Sequence, residues 1–82
     1  MAIWSLTTDT ERGVETSLYL TEEQAYEALA AFWFPGPDDA NNYHAMLAAI
    51  NEGIEAVIVW FEAYLERTSD DARVVVDCHE NP

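Results

Sequence analysis

The chain has no lysine and only three arginines, Arg12, Arg67 and Arg73, against sixteen aspartates and glutamates in 82 residues, a formal charge of −13. Binding to a nucleic-acid backbone depends on Lys and Arg neutralising phosphates, so direct contact with DNA or RNA is excluded as a role. The same sign disfavours an anionic membrane surface. A lone cysteine, Cys78, leaves no partner for an internal disulfide, and a reducing compartment is the simpler reading. No apolar run approaches the ~20 residues that a membrane-spanning helix requires. Met1 to Ser5 lack the basic start and following apolar stretch of a secretory signal. The expectation is a soluble, cytoplasmic protein. Internal repeats and low-complexity segments are missing too, which leaves one acidic domain over residues 1–82.

Apolar residues, by contrast, make up 50% of the chain and aromatics 12%. Disordered acidic tails lack that content, so this chain folds. A domain this small buries only a little over ~60% of its unfolded surface. Its core must be dense in large side chains, which three Trp, four Tyr and three Phe supply.

The pattern along the chain predicts β-β-α-α-α-β. Trp4, Leu6 and Thr8 alternate with Ile3, Ser5 and Thr7, the period of two of a half-buried strand. Asp9 to Gly13 supply a turn. Val14, Thr16, Leu18 and Leu20 then form the apolar side of a second strand, which points Leu18 and Leu20 to the core and Tyr19 to the opposite face. Thr21-Glu22-Glu23-Gln24 matches a capping box, and Ala25, Ala28, Leu29, Phe32 and Trp33 carry a helix to about Phe34. Pro35-Gly36-Pro37 stops it. Asp38, Asp39 or an adjacent Asn then caps a second helix bearing Tyr43, Met46, Leu47 and Ile50. Gly53 is either a break between two helices or a tolerated glycine in one. Ile54, Val57, Ile58, Phe61 and Leu65 predict a further helix, with a buried strand over Val57 to Phe61 as the competing reading. Thr68 to Asp71 read as a loop, Arg73 to His79 as a strand, and Glu80 to Pro82 as a frayed end. The fold class expected is α+β: a small three-stranded antiparallel sheet with helices packed on one face and the first strand in the middle.

Chemistry-bearing motifs are scarce. No phosphate loop, dinucleotide-binding glycine pattern, nucleophile elbow or metalloprotease signature is present. Cys78 and His79 look like a metal pair, but neighbours on a strand point to opposite faces, and no companion ligands stand at recognisable spacing. Cys78 then reads as a small core residue and His79 as a surface one. A catalytic pairing of Cys78 with His44 has no local signature. Adjacent carboxylates (Glu22-Glu23, Asp38-Asp39, Asp70-Asp71) are explained by helix caps and loops. A general acid needs an apolar pocket to raise its pKa, and nothing marks one of the sixteen as buried. The EF-hand ligand spacing is absent. The sequence therefore points to a protein that is not an enzyme, with no cofactor and no metal.

Acidity is the main signal. Glu55, Glu62 and Glu66 fall on one stripe of the third helix, with Glu52 and the pair Asp70 and Asp71 near its ends. Carboxylates four residues apart on a helix lie on the order of 6 Å apart, comparable to successive phosphates on one nucleic-acid strand. Like charges so placed repel by a few tenths of a kcal/mol, roughly, per pair. Stability alone would favour interleaved Lys, so negative potential has a use. The six residues form the candidate partner-binding set, and the partner they fit is the basic surface of a nucleic-acid-binding protein or complex, reached by electrostatic steering. The competing reading is a small intracellular protein-interaction or regulatory domain whose acidity serves only solubility. Trp4, Phe32, Trp33, Trp60 and Phe61 read as core residues, and Phe34 and Tyr43, flanking the proline-glycine break, as partly exposed. An exposed aromatic among acids would serve as a binding anchor.

A tiny, lysine-free, acidic single domain with a β-β-α start resembles the accessory proteins of phages and mobile elements, among them anti-CRISPR proteins and anti-restriction DNA mimics. The resemblance covers size, charge and element order and carries over no residue roles. It implies a stoichiometric inhibitor occupying the DNA-binding or recruitment surface of a bacterial defence complex.

Overall fold

The structure, a computed structural model, describes residues 2–80. Strand β1 (Ala2–Thr10) is followed by β2 (Gly13–Tyr19), helix α1 (Glu22–Trp33), a single 3-10 turn (Pro37–Asp39), α2 (Ala40–Glu52), α3 (Ile54–Arg67) and β3 (Arg73–Glu80). The strands form one antiparallel sheet in the order β2-β1-β3. This is the α+β arrangement the sequence pattern predicts, with the first strand central. Glu80 pairs with Ala2 inside the sheet rather than fraying; the same expectation for Asn81 and Pro82 falls outside the described residues.

The hairpin is tighter than the sequence implied, and this changes which side of β2 faces the core. Only Glu11 and Arg12 separate the strands, and Thr10 pairs directly with Gly13, whose φ of +119° suits a glycine. A turn spanning Asp9 to Gly13 would have opposed Thr8 to Val14. The actual register opposes Thr8 to Glu15, Leu6 to Ser17 and Trp4 to Tyr19. Opposed residues share a face, so this change of one position turns every β2 side chain over. Tyr19 packs against the core, while Leu18 and Leu20 stay 65% and 66% exposed. The expectation for these three residues is thus reversed.

Helix boundaries follow local chemistry. Thr21 Oγ1 accepts from the Gln24 amide at 3.1 Å, and Gln24 Oε1 accepts from the Leu20 amide at 3.2 Å. The side chain of Gln24 thus reaches one residue beyond the usual capping-box target. No carboxylate caps α2, contrary to expectation: the 3-10 turn leads straight into it, and Asp39 makes no side-chain capping bond. Gly53 separates α2 from α3. Its amide donates to Ala49 and Ile50 carbonyls at 3.2 and 3.1 Å, and its own carbonyl accepts from Val57 at 3.2 Å. Closing one helix and opening the next at a single residue requires φ of +140° and ψ of 165°, a region essentially confined to glycine. At the end of α3, Asp70 donates to the Leu65 carbonyl (3.0 Å) and Ser69 to that of Glu66 (3.2 Å). This is a Schellman motif, with Ser69 at φ +54° where glycine is usual.

Helix α1 is the middle layer. It lies against all three strands, whereas α2 and α3 pack against each other and onto α1. Leu29, Met46 and Val57, one from each helix, are fully buried. Leu6 joins them from the sheet, with Val74 and Val76 partly buried beside the core. An aromatic cluster binds the chain after α1 to α3: Phe34 meets Tyr64 at 5.1 Å and Trp60 at 5.9 Å edge-on, while Trp33 meets Phe61 at 5.3 Å. Phe34, expected partly exposed, is therefore 4% exposed. Phe32, expected in the core, is instead exposed at the end of α1, and two further expectations are corrected at the Ala2 end of the sheet. Trp4 is half-buried and lies outside the core cluster, and its partner Cys78 on the edge strand is exposed rather than in the core.

Two substitutions test these boundaries by urea denaturation. A Cβ at Gly53 would meet nothing within 4 Å, so Gly53→Ala costs only backbone strain, about 1–3 kcal/mol of stability. Ser69→Gly relieves a left-handed serine and stabilises by about 0.5–1 kcal/mol, after the extra freedom of the unfolded chain is counted.

Candidate acidic interface

All sixteen carboxylates lie within residues 2–80, and none is buried; Glu22 and Asp39 are half-buried and the rest exposed. Ionised groups without partners are held in water by their desolvation cost, and the apolar core leaves them no other place. No carboxylate sits in the apolar surroundings that would turn it into a general acid.

The six residues singled out from the sequence are all exposed, but they fall into two regions. Glu55, Glu62 and Glu66 run along one stripe of α3, over roughly 16 Å at a helical rise of 1.5 Å per residue. Val59 stands on the same stripe, 66% exposed. Glu52 ends α2 and joins Glu55 around a shallow groove that Ala49, Val59 and Trp60 also line. Asp70 and Asp71 lie past the end of α3, where the Asp70 carboxylate accepts from the Ala72 amide at 2.9 Å. They line a separate cleft together with Asp9 and Glu11 of the hairpin, the cations Arg12 and Arg73, and Phe32 and Trp33 from the end of α1. Asp9 and Glu11 were missed because only the fold brings the hairpin turn beside the α3–β3 loop.

Glu22 was missed for the same reason. Tyr26 on α1 is buried and its hydroxyl pKa is raised above 10.0, first by desolvation and then by the fields of Glu22 and Glu62. One carboxylate from α1 and one from α3 thus both disfavour the phenolate form of Tyr26. Arg67, beside Glu66, holds its guanidinium carbon 5.7 Å from the Tyr64 ring centroid, within cation–π range.

The histidines and the cysteine do not converge. His79 Nε2 lies 2.9 Å from Ser5 Oγ on the face of the sheet away from the helices, while Cys78 points to the other face. His44 is exposed on α2, its ring 5.7 Å from that of Tyr43. Among the described residues no three His, Cys, Asp or Glu side chains gather in a way that could hold a metal ion, and no helix is long and apolar enough to cross a membrane.

The Tyr26 environment gives a pH dependence with a definite sign. The folded phenol keeps its proton to a higher pH than the unfolded one, so its contribution to stability is complete below pH 10.0 and is lost as pH rises through the folded value. Tyr26→Phe removes this part of the alkaline loss in denaturation measured against pH. In an ultraviolet titration of the phenols, Glu22→Gln lowers the Tyr26 midpoint.

Compared with known proteins, the chain matches no family model, no curated protein and no solved structure.

Proposed function

We propose that the protein is a non-enzymatic acidic binding protein, a stoichiometric inhibitor that docks on the basic nucleic-acid-binding surface of a bacterial defence complex, in the manner of anti-CRISPR proteins and DNA mimics. The observation that carries this reading is the stripe of Glu55, Glu62 and Glu66, all exposed on a helix whose single arginine lies against a tyrosine ring. It is supported by the absence of any lysine to neutralise the −13 charge. Carboxylates in a row on a rigid helix offer a basic groove repeating negative charges without a base to read, which makes the contact dependent on charge and shape alone. Such docking is fast, steered at long range and weakened by salt.

A second reading is favoured by a different observation. Val14 and Leu18 on β2 and Val75 on β3 are exposed on the sheet face that no helix covers. A regulatory domain that meets its partner through this apolar face would use its charge only for solubility.

Salt and DNA separate the two. With the protein immobilised and a bacterial lysate passed over it, the acidic reading expects nucleic-acid-binding proteins to be retained, released steeply between low and moderate salt, and displaced by added duplex DNA. Retention indifferent to both supports the apolar reading instead. Replacing Glu55, Glu62 and Glu66 together by Gln weakens retention on the acidic reading; undiminished retention removes α3 from the interface.

A further inference from the structure

The distribution of charge over the sheet is as informative as its total. Alternation places Ile3, Thr7, Val14, Leu18 and Val75 on the face turned away from α1. Of the sixteen carboxylates only Asp9 and Asp77 stand on the strands of this face, and Arg73 and His79 stand there with them. The open face is therefore nearly neutral on a chain of charge −13. An uncovered antiparallel face ordinarily carries polar side chains, whereas Val14 and Leu18 here are 64% and 65% exposed.

We propose that this face packs against the same face of a second copy of the chain. Two arguments select that occupant. The first is electrostatic: two particles of the same large negative charge can approach only through a surface nearly free of it, and this face is such a surface. The second is the register. Thr7 is opposed to Thr16 on one side and to Val75 on the other, so these three residues form a row across the sheet. A two-fold axis along that row, midway between sheets ~10 Å apart, sets the row against itself and exchanges its two sides. Val14 then faces Leu18 of the partner subunit, and Arg73 faces Asp77 of the partner subunit. Cation meets carboxylate and apolar meets apolar, as a self-complementary two-fold contact requires. Three strands ~4.8 Å apart and about seven residues long give a patch of roughly 14 by 23 Å. That is smaller than the ~800 Å² per partner of a stable complex, so the dimer is a transient one that forms as concentration rises.

Sedimentation equilibrium on the whole chain tests this up to ~1 mM protein. Self-association is expected, and it strengthens with added salt because screening relieves the repulsion between the two net charges. Docking through α3 has the opposite salt dependence, so failure of one reading leaves the other standing. Leu18→Glu, at an exposed site, abolishes association while circular dichroism and melting remain those of a folded protein. Arg73→Asp and Asp77→Arg each weaken association about tenfold, and the two together restore it to within a few-fold. A chain that stays monomeric over the whole range, or an association constant that Leu18→Glu leaves unchanged, overturns the proposal. The same holds if the double charge exchange is no better than the single ones.

Discussion

Sixteen carboxylates must all remain in contact with water in a chain of 9.3 kDa, and the architecture depends on that constraint. Few surfaces are left on which apolar area can be removed from solvent. The solution is to bury α1 between two layers, with the sheet on one side and the α2–α3 pair on the other. Leu29 of α1, Met46 of α2 and Val57 of α3 are thereby fully enclosed, and the glutamates of each helix are turned outward. The aromatic contacts of Trp33 and Phe34 with Phe61, Trp60 and Tyr64 add the bulk that so small a core needs. Each large ring buried this way removes apolar area from water at about 25 cal/mol per Å².

Charge and apolarity are consequently sorted onto different faces. The helices and connecting loops carry twelve of the sixteen carboxylates, and two groups stand out: the stripe on α3 with Glu52 of α2 beside it, and the cleft that Asp70 and Asp71 line with Glu11 and with Asp9 of β1. The uncovered side of the sheet carries few. This sorting lets the two proposed contacts coexist, since a basic partner on the helices and a second copy on the sheet occupy opposite sides of α1. It also keeps their salt dependences opposed, because one contact joins surfaces of opposite charge and the other brings together two chains of the same net charge.

Element types and order were legible in the sequence because each helix carries its apolar residues at helical spacing and each strand alternates. The β-branched run from Val57 to Phe61 folds as helix because Val57 and Phe61 reach the core together with Ile54 and Leu65, a spacing only a helix satisfies. What was not legible turned on single positions. The length of the hairpin turn, two residues rather than five, decided that Tyr19 and not Leu18 faces the core. Phe34 was hidden by contacts with residues of α3 that lie far along the chain. Cys78 shares a face with Val76, but it lies beyond the part of the sheet that the core covers. The candidate site was legible where a helix sets the spacing, as for Glu55, Glu62 and Glu66. It was not legible where tertiary contact sets it, as for the convergence of Glu22 and Glu62 on Tyr26.

Surplus carboxylates gathered into a surface of the kind proposed for a cationic partner repel one another in the folded state. Thermal melting followed across a salt series reads that repulsion without knowledge of any partner. Raising sodium chloride from ~0.01 to ~0.15 M shortens the screening length from about 30 to about 8 Å, and the account predicts a melting temperature that climbs through this range and levels off beyond it. A melting temperature that is flat or falls over the same series would contradict it.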